Sequence, residues 1–189
     1  MSDLAVSTPE YFEILVLREL RKVGFELGQP RVHRRSELPE PERGFVLELT
    51  VPLTSGPRAR RALVICRQQL GPVAADVIES ARSRMADASA DAVVVFAVTD
   101  FTVDALAAAE AGGVALLRIA DGRSVFDASG WGSAGGAGGG AGADHYPAWL
   151  PTHMAQVVDR GPSGEPRFRL LEAGRPEMIL DAIRSATDA

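Results

Sequence analysis

Three apolar runs decide most of what this chain can become. "RALVIC" (61–66), "AVVVFAV" (92–98) and "VALLRI" (114–119) each have the length of a strand, and the second is apolar on both faces, as a strand buried in the middle of a sheet must be. The stretches between them carry the other period. "VAADVIESARSRMADA" sets Val73, Val77, Ile78, Ala81 and Met85 at helical spacing, and "FTVDALAAAEAGG" is an alanine-rich helix stopped by glycines. Helices are therefore expected over 72–88 and 102–111. A connection that contains a helix is long enough to bring the next strand back parallel to the last.

The half of the chain before these runs reads differently. "TPEYFEILVLRELRKVG" has Thr8 to cap, Pro9 at the first helical position and Gly24 to stop, with Phe12, Leu15, Val16, Leu20 and Val23 as its apolar stripe. "FELG" is short enough only for a brief strand, and "QPRVHRRSELPEPER" keeps no period and reads as a polar connection. "GFVLELTVPL" alternates, with Phe45, Leu47, Leu49 and Val51 on one face and Val46, Glu48 and Thr50 on the other. The turn "TSGPRAR" joins it to "RALVIC" as an antiparallel hairpin. The expected class is α/β: a mixed sheet flanked by helices, with the hairpin leading into a parallel part.

"SGWGSAGGAGGGAGAD" carries nothing that packs, so the expected division is a domain over 1–128, a Gly-rich linker over 129–144 and a small C-terminal segment over 145–189. That segment holds two strands around "MAQVVD" and "RFRLLEA" and a helix in "PEMILDAIRSA". It is too small to stand alone and should dock on the main domain or on a second subunit.

Charge and cysteine content narrow the chemistry. Cys66 is the single cysteine, which rules out an internal disulfide and a thiolate zinc site. No apolar run approaches the about 20 residues of a membrane span, and the opening "MSDLAVSTPE" lacks the pattern of a secretory leader, so a cytoplasmic protein is expected. Net charge is −5, yet residues 18–67 carry a local +5 and residues 68–189 a local −7. A basic face is compatible with that distribution, as are ordinary solvated arginines. The glycine run lacks a Lys-Ser/Thr and opens no helix, so it is no phosphate loop. His33, His145 and His153 are scattered, and His145 and His153 lack close acidic partners at helical spacing.

Several of these stretches resemble the restriction-endonuclease-like fold, and within it the Mrr-type nucleases of bacterial DNA restriction. "YFEILVLRELRKVGFEL" is similar to the family's opening helix, with a glutamate beside an aromatic residue and a closing Gly-Phe. "GFVLEL" stands where the family has a glycine-led strand with an aspartate, and "ALVICRQQLGPV" where it has a strand ending in Gln-x-Lys or Glu-x-Lys. "FTVDALAAAEAGGVALLRIADG" matches an alanine-rich helix and closing strand, so the likeness covers residue 9 to about 126.

The resemblance implies phosphodiester cleavage with one or two Mg²⁺ ions gripped by acidic oxygens and a lysine steadying the attacking water or the transition-state charge. On this sequence the motif positions fall on Glu13 of the first helix, Glu48 for the aspartate, Ile65 for the acid or glutamine, and Arg67 for the lysine. Ile65 offers no side-chain ligand, and the Arg67 guanidinium neither sheds its proton nor imitates a compact ammonium. Each position also has a plain reading: Glu13 as an ordinary glutamate on a helix surface, Glu48 as a polar residue on a half-exposed strand, Ile65 as core, and Arg67 as a strand-end arginine that is solvated or touches a phosphate. The following helix offers Asp76 and Glu79 as a relocated second acid, Glu79 lying near the edge of the apolar stripe.

The expectation is a domain that has lost cleavage and keeps binding, either to DNA through an arginine-rich edge of Arg34, Arg35, Arg58, Arg60, Arg61 and Arg67 or to a protein partner, in a bacterial restriction or related system. No cofactor and no metal site are expected. The alternative is an active endonuclease that uses Glu13, Glu48 and Glu79 with Mg²⁺, the metal on Glu48 and Glu79. A homodimer is left open by the sequence.

Overall fold

The computed structural model describes residues 8–40, 42–128 and 148–184. The glycine-rich stretch expected as a linker, its expected mobility, and His145 lie outside these residues.

α1 (Pro9–Lys22) starts where the side chain of Thr8 accepts a hydrogen bond from the Tyr11 N–H and Pro9 occupies the first turn. After it come β1 (Glu26–Leu27), β2 (Arg31–Leu38), β3 (Gly44–Ser55) and β4 (Arg58–Gln69). β3 and β4 pair antiparallel across a two-residue turn whose first residue, Gly56, has φ +57°, as such hairpins require. Then α2 (Ala75–Ser83), β5 (Ala92–Ala97), α3 (Val103–Gly112) and β6 (Val114–Asp121) alternate, and β4, β5 and β6 are parallel neighbours. The chain continues through α4 (Gly122–Ala128), β7 (His153–Arg160), β8 (Pro166–Leu170) and α5 (Glu177–Arg184).

The eight strands of the described residues form one mixed sheet in the order β1-β3-β4-β5-β6-β7-β8, with β2 also on β3. β1 and β2 lie end to end along the outer side of β3, pairing with its residues 53–54 and 44–50. The expected mixed sheet, hairpin first and parallel part second, is therefore the observed one. Within the stretch expected as a small C-terminal segment over 145–189, residues 153–184 add two antiparallel strands to the same sheet and a helix to the same core.

Side chains alternate across the sheet and feed two apolar layers. One holds Leu47, Leu49, Val64, Cys66 and Phe96 beneath α1 and α5, whose Phe12, Leu15, Leu20, Ile179 and Ile183 close over them. The other holds Val46, Leu63, Ile65, Val93 and Val95 beneath α2 and α3, through Val77, Ile78, Ala105 and Leu106. All six residues of β5 are buried, so the run that is apolar on both faces is the strand covered on both. No helix among the described residues is long and apolar enough to cross a membrane.

Two expectations need correction. Residues 31–38, read as a polar connection, form β2, an outer strand on β3 whose side chains are almost all exposed or half-exposed. An outer strand with no buried face is not obliged to alternate, which is why no period marks it. The helix expected over 72–88 is shorter, ending at Ser83, because Arg84 already caps it and turns follow.

Candidate nuclease-like cleft

Glu48 and Ile65 stand directly opposite each other on β3 and β4, and Arg67 lies two residues farther along the same face of β4, opposite Val46. The three motif positions therefore converge on the α2 side of the sheet. They line a cavity of about 220 Å³ together with Arg34 from β2, Glu42 from the β2–β3 loop, and Val77, Ser80, Ala81 and Arg84 from α2.

Glu48 is the buried acid at its floor, only 4% exposed. Its carboxylate is held by the Arg84 guanidinium, whose Nη1 donates to Oε1 and also lies in ion-pair contact with Oε2. That second contact is poorly aligned as a hydrogen bond, so buried Oε2 receives no properly directed N–H. A more distant partner, Arg34 Nη1, stands 3.8 Å from Oε1. Ile65, opposite, is buried in the apolar layer with Val46 and Val77 and presents no oxygen.

Arg67 is also engaged, and it is largely buried. Its Nη2 donates to Glu42 Oε2 at 2.5 Å, and its Nε donates to Gln69 Oε1. Gln69 is locked in turn by donating to the carbonyls of Gly71 and Pro72, both at 2.9 Å. The result is a guanidinium fixed in one orientation, as a bidentate fork can be and a lysine ammonium cannot. Beyond it lies a second hollow, of about 260 Å³, lined by Glu42, Arg67, Gln69 and Asp76.

Other candidates are placed elsewhere. Glu13 sits on α1, on the opposite side of the sheet, where Arg35 Nη2 donates to it at 2.6 Å and Arg35 Nη1 reaches Glu10 at 3.1 Å. Burial, and secondarily the nearby Glu13 charge, pushes the Cys66 thiol well above its ordinary range, so it is a neutral core group. Glu79 is exposed and lines a separate hollow with Arg82, Ser83 and Asp91. On a helix whose inward residues are Val77, Ala81 and Arg84, position 79 turns away by about 200° from position 77. The structure thus separates Glu13, Glu48 and Glu79, and the alternative catalytic trio does not assemble.

The arginines expected to form one edge are likewise dispersed. Arg58, Arg60 and Arg61 are exposed at the hairpin end of β4, roughly 20–30 Å from Arg67 at about 3.3 Å per residue. Arg58 and Arg60 share the α1 face with Val64, while Arg61 shares the α2 face. Arg35 is committed to α1. What the fold does gather is Arg34, Arg67 and Arg84, against Glu42 and Glu48.

Arg84 and Glu42 escaped the sequence reading. Arg84 was findable, since 77, 81 and 84 follow helical spacing. Glu42 was not, because its loop position depends on where β2 pairs.

A comparison with family models settles the kinship. The Mrr_cat model, described as restriction endonuclease, matches residues 4–129. The chain belongs to that family. No curated protein and no solved structure matches it. The match ends before β7, so β7, β8 and α5 lie beyond the matched part. In this Mrr-family chain, the donor set does not suit the divalent ion its relatives' chemistry calls for. Among the described residues no three His, Cys, Asp or Glu side chains come together as a metal cluster, and the buried carboxylate of the cleft, Glu48, already faces two guanidinium groups. Octahedral Mg²⁺ calls for several oxygen ligands, and of the three motif positions only Glu48 offers a carboxylate.

Proposed function

We propose that this Mrr-family domain binds DNA through the cleft at Glu48 without cutting it, in a bacterial restriction or related system. The observation that carries this reading is the composition of the cleft: three arginines from β2, β4 and α2 converge where metal-binding acids would be needed, and Ile65 fills the second acid's position. A site with a cationic excess and no metal ligands to spare is suited to holding a phosphodiester, and it lacks the means to generate a hydroxide beside it. Arg34, half-exposed at the rim, is the arginine most able to leave its present contact for a phosphate.

Binding of a fluorescent duplex, followed by anisotropy across a NaCl series, tests it. Affinity should fall steeply with salt, and Arg34→Ala should weaken binding and flatten the log–log slope by about 1. The triple change of Arg58, Arg60 and Arg61 to Ala should leave more of the affinity intact than Arg34→Ala does. Absence of salt-dependent binding would remove the DNA reading and leave a protein partner. Plasmid cleavage in Mg²⁺ or Mn²⁺ that Glu48→Ala abolishes would remove the inactive reading.

A further inference from the structure

We infer that Arg84 is a tethered cation: its guanidinium permanently fills the place beside Glu48 where a nuclease of this family would seat its metal. The inference rests on reading this cleft as the former catalytic one, and it goes further by assigning a role to a residue outside the motif. Glu48 is buried, and a buried carboxylate needs a positive partner at close range. In a working site a divalent ion meets that need. Here the Arg84 nitrogen contacts both carboxylate oxygens from a position fixed by the end of α2, where it caps the helix and its own backbone N–H bonds to the Ser80 carbonyl. A basic residue at a helix C-terminus is also favoured by the helix dipole.

The arrangement is self-consistent with the loss of the second acid. A divalent ion needs at least two anionic ligands to be neutralised, whereas one guanidinium needs one carboxylate. With isoleucine at position 65, the single charge of Arg84 matches the single charge of Glu48, whereas a divalent ion at the same place would lack the second acid. Arg34 at 3.8 Å supplies a second, weaker contact from the solvent side.

Thermal unfolding of the full chain without DNA tests this, so its outcome is independent of whether the cleft binds a duplex. Arg84→Ala should lower Tm by about 5–10 °C, and adding Glu48→Gln to it should recover most of that loss, because the charge left without a partner is then gone. Millimolar methylguanidinium chloride, compared with equal NaCl, should raise the Tm of Arg84→Ala and not that of the double variant. MnCl₂ should not raise the parent's Tm in a Glu48-dependent way. The inference is overturned if Arg84→Ala is as stable as the parent, if the double variant is no more stable than Arg84→Ala, or if methylguanidinium acts equally on both. A Mn²⁺ stabilisation of the parent that Glu48→Gln removes would also overturn it, since the seat would then be open to metal. Should Arg84→Ala fail to fold, a folded double variant supports the inference and an unfolded one counts against it.

Discussion

At the scale of single residues, restoring a motif on paper differs from restoring a site. Ile65→Glu with Arg67→Lys rebuilds the acid and the amine on adjacent turns of the pleat, yet we expect no cleavage of plasmid DNA in Mg²⁺. Arg84 would still hold Glu48, and the new carboxylate would enter an apolar layer shaped by Val46, Val77 and Ala81. The double variant should instead be less stable than the parent by about 2–4 kcal/mol in metal-free urea denaturation, the cost of an acid buried without a partner. Cleavage by this pair alone would show that the second acid, and not the Arg84 contact, limits the site. The position of Glu48 was legible from alternation along "GFVLEL"; its partner was not, because a strand pattern says which face a side chain takes and nothing of what crosses to meet it.

At the scale of elements, the strand carrying Glu48 starts under constraint. Gly44 has φ +135°, a conformation that side-chain-bearing residues rarely adopt, and a Cβ there would collide with the Gln68 carbonyl on β4. Gly44→Ala should therefore cost about 2–4 kcal/mol, read from the urea midpoint at unchanged m-value, with activity-independent loss of β3–β4 amide protection in hydrogen exchange. A neutral result would mean that the start of β3 relaxes freely. The glycine that opens this stretch has a steric reason visible only once β4 lies beside it. β2 makes the complementary point: it is held by pairing to β3 and not by burial, so its residues carried no amphipathic mark, and with it the loop that delivers Glu42 went unread.

At the scale of the whole molecule, the family match ends where the sheet does not. β7 covers the outer edge of β6, and Leu171, Met178, Ile179, Leu180 and Ile183 complete the apolar layer under α1 and α5. A chain cut after residue 128 would expose both an unpaired parallel-sheet edge and that apolar layer, so it should collect in the insoluble fraction or unfold without a cooperative urea transition. A soluble, cooperatively folding 1–128 fragment would mean that β7, β8 and α5 are an addition and not a part of the core. Local period, caps and connection lengths determined by themselves that there would be a mixed sheet, which runs would lie at its centre and that Glu48 shares a strand face with Val46 and Thr50, because those features depend on neighbours close in sequence. Only the tertiary structure decided that Arg84 faces Glu48, that Glu13 and Glu79 stand apart from it, and that the last strands join the first sheet, because each depends on contacts between residues far apart in the chain, where side-chain reach and strand register, and not periodicity, set the partner.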